Sequence, residues 1–138
     1  MADRKLFVSL PVRNLERSVD FFSKLGFEFN PQFSSDSTAC IVINRDTSVM
    51  LAETQFFKTL TEREVCDTRT HLQALFALSC ESRAEVDALV GLAVDNGGQR
   101  AGDPQDHGFM YDWSFYDLDG HGWGVAWMDP NAASAPSA

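Results

Sequence analysis

The sequence predicts an α+β fold built from two βαβββ modules, and three observations predict it. A strand signal followed by a helix signal and three further strand signals occurs twice along the chain. The two copies align: Leu10 with Leu78 and Ser18-Val-Asp20 with Glu85-Val-Asp87 stand 68 and 67 residues apart. The length of 138 residues, with 44% hydrophobic side chains, fits one domain whose two small halves share a core.

Each element has a local reason. Lys5–Val12 (KLFVSLPV) reads as a strand, and Asn14 offers an N-cap to a helix whose apolar positions Leu15, Val19 and Phe22 keep a 3.6-residue period until Gly26 stops it. Phe27–Phe33 alternates as a strand should. Ala39–Ile43 and Thr47–Ala52 are short apolar runs joined by the turn residues Asn44-Arg-Asp46. A polar, helix-prone connector over residues 54–68 follows, with Thr61-x-x-Glu64 as a capping box and Phe56, Phe57 and Leu60 as one apolar face.

The second module opens with a strand at Leu72–Ser79. Ser82-x-x-Glu85 is a capping box for a helix carrying Val86, Leu89, Val90 and Ala93, stopped by Gly97-Gly98. Strands near Gln99–Ala101, Phe109–Tyr116 and Trp123–Trp127 complete it, the last two joined across Asp117-Leu-Asp-Gly120, whose Asp-Gly is a hairpin signal. The expected organisation is a single domain over residues 1–130, with modules at about 5–53 and 71–129 and a disordered small-residue tail (NAASAPSA) at 131–138.

Eleven Lys and Arg against 20 Asp and Glu leave a net charge of −9, which repels nucleic acid and anionic membranes over most of the surface. No apolar run approaches the roughly 18 residues of a membrane span, and the start is too short to form a signal-peptide core, so a cytoplasmic protein is expected. Cys40, Cys66 and Cys80 lack the spacing of a zinc or redox site and read as reduced, mostly buried thiols. Phosphate loops, nucleophile elbows and histidine pairs at metal-ligand spacing are all missing from the sequence. Sixteen aromatic residues (11 Phe, 3 Trp, 2 Tyr) supply either a dense core or the wall of an apolar pocket.

Leu10-Pro-Val-Arg-Asn-Leu15, Ser18-Val-Asp-Phe-Phe22, Leu25-Gly-Phe27 and Phe115-Tyr-Asp-Leu-Asp-Gly-His121 with Trp123 resemble the vicinal oxygen chelate superfamily, which includes glyoxalase I, bleomycin-resistance proteins, extradiol dioxygenases and fosfomycin-resistance enzymes. Asp106-His-Gly-Phe-Met-Tyr111 and Trp127-Met-Asp129 are most similar to bacterial predicted lactoylglutathione lyases. The resemblance implies a U-shaped mixed sheet around a central cleft, a small-molecule ligand in it, and a homodimer that completes the cleft. It also implies four metal-ligand positions near the first and last strands of each module, commonly His or Gln and Glu.

Aligned through the motifs, those positions fall on Phe7, Leu51, Leu75 and Gly124, none of which coordinates a divalent ion through its side chain. A shift of two residues offers Lys5, Glu53, Gln73 and Gly122, a poor set. No metal and no other cofactor is therefore expected. Ser9, Glu53, Gln73, Tyr111 and Tyr116 are expected in the cleft beside the four aligned positions, with Tyr111, Ser114 and Tyr116 taken to share one strand face unless a bulge intervenes. Two readings stay open: a metal-free binding protein, or a glyoxalase-like lyase or isomerase acting on a small carbonyl compound with Glu53, His107 or Tyr111 in place of the metal.

Overall fold

The computed structural model describes residues 4–131, and the chain divides into two units, Met1–Cys66 and Asp67–Ala138. In the first unit, β1 (Leu6–Val12), α1 (Leu15–Lys24), β2 (Glu28–Phe29), β3 (Thr38–Asn44) and β4 (Thr47–Glu53) form a four-stranded sheet in the order β1-β4-β3-β2. β1 runs parallel to β4 and the other pairs are antiparallel, so α1 and the strands after it carry the chain between the parallel pair.

α1 begins where Asn14, in an extended conformation, accepts a hydrogen bond from the Arg17 N–H at 3.0 Å, and it ends before Gly26, whose φ of 98° suits glycine. The helix buries Ser18, Phe21 and Phe22, with Leu25 just beyond its end. The expected stripe of Leu15, Val19 and Phe22 is thus rotated, and Leu15 and Val19 stay half-exposed on the flank. Phe21 and Phe22 meet edge to face at 5.0 Å, and with Leu10, Val12, Ile41 and Leu51 they form the core.

The strand expected over Phe27–Phe33 is cut to two residues. The Asn30 side chain accepts from the Gln32 N–H at 2.9 Å and Pro31 has no N–H for a ladder, so Pro31–Phe33 is a 3-10 turn. The connector is helical only over α2 (Thr54–Phe57) and a 3-10 turn at Lys58–Leu60; Thr61 Oγ1 accepts from the Arg63 N–H and caps no helix.

The second unit repeats the plan with β5 (Leu75–Cys80), α3 (Arg83–Asp95), β6 (Gln99–Arg100), β7 (Gln105–Asp106), β8 (Met110–Tyr116) and β9 (Gly122–Met128). Its sheet runs β5-β9-β8-β6, with β7 also on β8 and β5 parallel to β9. Ser82 caps α3 by accepting from the Glu85 N–H at 3.0 Å, while the Glu85 carboxylate reaches back to the Glu81 N–H at 2.7 Å. Val86, Val90 and Ala93 pack on Phe115, Trp123 and Val125, all at most 1% exposed, and the Phe115 and Trp123 rings stack at 6.5 Å. β5 starts at Leu75, three residues later than expected, and β7 has no counterpart in the sequence reading.

The α+β class and the βαβββ plan of the first unit are as the sequence predicts, and the second unit follows the same plan with the short strand β7 added. Among the described residues no helix is long and apolar enough to cross a membrane. Of the expected tail, Asn131 lies in a turn, its N–H donating to Asp129 Oδ1 at 2.8 Å, and 132–138 lie outside the described residues.

Candidate functional site

Strand register decides which side chains share the sheet face turned away from each helix. On the first sheet Phe7 stands beside Ser48, Ser9 beside Met50, and Pro11 beside Ala52. Leu51 pairs with Leu10 and Glu53 with Val12, so these two lie on the helix side, and Leu51 is fully buried in the core. This corrects the expected cleft set: with a side-chain period of two, an alignment error of one residue moves Leu51 off the face that carries Phe7 and Ser9.

On the second sheet the face away from α3 carries Leu75, Ala77, Gly122, Gly124, Ser114 and Tyr116. Leu75 is 75% exposed and leans over Gly122, where an added Cβ would sit 2.7 Å from Leu75 Cδ2. Gln73 precedes β5 and is exposed in a bend, so it takes no place on the strand face. β8 and β9 pair without a bulge, which puts Tyr111 beside Trp127 on the helix side, opposite Ser114 and Tyr116. The expectation that the three share a face is wrong by that one-residue parity.

Tyr111 is instead part of a clamp between β8 and the first turns of α3. Its hydroxyl donates to Asp87 Oδ1 at 2.6 Å, and that hydrogen bond, above all, raises the phenol's pKa over its ordinary value. The Arg83 guanidinium lies over the Tyr111 and Trp127 rings, pairs with Asp106 at 2.6 Å and donates to the Gly108 carbonyl at 2.9 Å. Asp106 is held below the usual carboxylate range, first by the Gly108 N–H and then by Arg83.

The clamp fixes the β7–β8 loop that carries His107, whose Nε2 lies 3.3 Å from Asp112 Oδ2. Asp112 escaped the sequence reading because β7 did. The pair becomes visible only once Gln105 is seen to oppose Asp112.

Glu53 ends β4 without a side-chain capping bond and lines an open recess of the first unit together with Arg13. Glu53 therefore belongs to one unit, while His107 and Tyr111 sit on opposite sides of the other's sheet.

The residues present do not fit a metal of the kind the resemblance implies. Phe7, Met50 or Leu51, Leu75 and Gly124 offer no carboxylate, imidazole or amide side chain. Among the described residues no three of His, Cys, Asp and Glu come together as a ligand set.

The turn between β8 and β9 is buried and polar. Asp117 Oδ1 accepts from the Asp119 and His121 N–H groups at 2.9 and 3.0 Å, and Oδ2 accepts from Trp123 Nε1 at 3.0 Å. Burial pushes the Asp117 carboxyl above its ordinary pKa, against the opposing pull of His121 and these donors. Thr68 Oγ1 donates to the Asp119 carbonyl at 2.5 Å, tying the segment before β5 to the turn.

Residues 4–44 match the family model described as bleomycin resistance protein-like N-terminal. No curated protein matches the sequence. Among solved structures, the hypothetical protein SA1046 from S. aureus is 27% identical, with 91% of this chain and 94% of that chain covered at a TM-score of 0.77. A glyoxalase-related enzyme from Fulvimarina pelagi has 20% identity, 91% and 88% coverage and a TM-score of 0.77. The fosfomycin resistance protein FosX from Mesorhizobium loti has 15% identity, 98% coverage of both chains and a TM-score of 0.64. The amino-terminal match is to a bleomycin resistance protein-like family, and the fold is the one shared by solved structures described as glyoxalase, bleomycin resistance and dioxygenase proteins.

Proposed function

We propose that this protein is a metal-free, small-molecule-binding member of the glyoxalase and bleomycin-resistance group, acting in the cytoplasm as a homodimer. The observation that carries the reading is the composition of the two sheet faces turned away from the helices. At or beside the positions the resemblance assigns to metal ligands, that face of the first sheet carries Phe7 and Met50 and that of the second Leu75 and Gly124, residues suited to apolar contact. Ser114 and Tyr116 add hydroxyls on the same face as Gly124, able to orient a ligand through hydrogen bonds.

The dimer is supported by exposed apolar side chains in both units, Leu6 and Phe7 in the first and Leu75, Phe109 and Met128 in the second. The cytoplasmic reading is supported by three unbridged cysteines.

Native mass spectrometry of protein purified without an affinity tag tests this. The expected species has twice the chain mass and carries a small organic adduct, with no metal. A monomer, or a chain carrying one metal equivalent, would overturn the proposal.

A further inference from the structure

The first unit carries a recess of about 900 Å³ that lies on the helix side of its sheet, away from the face discussed above. Its apolar part is Leu15 and Val19 on the flank of α1 together with Phe29 of β2. The rotation of α1 leaves the first two half-exposed there, because the sheet covers Phe21 and Phe22 instead. A smaller recess of about 290 Å³, lined by Arg13, Glu53, Thr54 and Gln55, shares Arg13 and Glu53 with the larger one.

The charged wall is asymmetric: one guanidinium, Arg13, stands against the carboxylates of Glu16, Asp20, Asp36 and Glu53. Asp20 is already paired with Lys24 at 3.0 Å, which leaves Glu16, Asp36 and Glu53 as carboxylates with no ion pair among the described residues. An anion would meet this wall unfavourably. A cation gains from it, and from the net charge of −9 that steers cations to the whole chain. Phe29 adds an aromatic ring against which the apolar body of such a cation can pack.

We propose that this recess is a second ligand site, taking a small amine with an apolar body. The hydrocarbon part lies against Leu15, Val19 and Phe29, and the ammonium faces Glu53 and Asp36. The site lies within the first unit, so it stands independently of the metal-free reading given above.

Amide chemical-shift mapping with 2-phenylethylamine, 2-phenylethanol and 3-phenylpropionate as probes tests it. The amine is expected to give saturable shifts confined to residues 13–23, 29, 34–39 and 53, with affinity falling as salt rises. The neutral alcohol should bind about tenfold more weakly, and the carboxylate not at all. Glu53→Gln and Asp36→Asn should each weaken the amine several-fold with an unchanged circular dichroism spectrum, whereas exposed Asp103→Asn, on the other unit, should not. Absence of saturable shifts in this recess, equal binding of the carboxylate, or insensitivity to both recess variants would overturn the proposal.

Discussion

A single methyl group at Gly120 would lie 2.2 Å from the Thr68 carbonyl oxygen, at a φ of 89° that side-chain-bearing residues rarely adopt. Gly120→Ala is therefore expected to lower stability by about 2 kcal/mol or more, since backbone cannot move aside as a side chain can. Gly124→Ala meets nothing closer than Ser114 Oγ at 3.6 Å and should change stability by less than about 0.5 kcal/mol. Urea midpoints of the two variants check the contrast; equal values would show that the 68–71 segment does not hold the turn.

Asp117 makes a second expectation. Its carboxyl titrates above its unfolded value because burial disfavours the charge, so its contribution to stability is complete below the unfolded pKa and is lost as pH rises through the folded pKa. Asp117→Asn should remove that part of the pH dependence. It should also cost about 1–3 kcal/mol, because an amide nitrogen would then face the Trp123 N–H donor. Stability curves from pH 4 to 8 read both effects, and an unchanged pH dependence would contradict the assignment.

At the scale of elements, the signals that survived folding are those with a local mechanism. Asn14 and Ser82 cap the helices as read, and Gly26 and Gly97 end them with φ of 98° and 104°. What failed depended on partners far along the chain. The buried stripe of α1 is chosen by the sheet beneath it, and a sequence period leaves the helix free to rotate about its axis. Leu51 was placed on the wrong face because its side relative to Phe7 is set by the register of β4 on β1, and Tyr111 because an odd separation of three residues from Ser114 puts the two on opposite faces of an unbulged strand. The two-residue β7 is too short to leave a pattern.

Strand position also sets thiol reactivity. Cys40 in β3 is fully buried, and Cys80 at the end of β5 has its pKa pushed up to about 11, chiefly by burial, whereas Cys66 is exposed between the elements. Disulfide-exchange labelling at pH 8 should show one fast equivalent per chain, with the other two waiting on unfolding. Three fast thiols would contradict the packing of both strands.

At the scale of the whole molecule, the repeat at 67 and 68 residues was legible because each module must bury its own helix against its own sheet, which fixes the same order of apolar signals twice. The resemblance alone assigned the four positions to Phe7, Leu51, Leu75 and Gly124, and the structure places Leu51 on the helix side of its sheet, away from the face of Phe7. The clamp of Arg83 on Asp106, Gly108, Tyr111 and Trp127 was illegible, because it joins residues from 23 to 44 positions apart through a loop with no pattern of its own.

We propose above that this chain works without a metal. Elemental analysis, after incubation with nickel, zinc, manganese or iron and desalting, tests it most directly, with turnover of the methylglyoxal–glutathione hemithioacetal measured on the same samples. Phe7, Leu75 and Gly124 supply no ligand, so retained metal should be well under one equivalent per chain. Turnover should stay near background, for want of the several kcal/mol of charge stabilisation that a Lewis acid provides. One equivalent of metal per chain, with turnover that chelation abolishes, would contradict the claim.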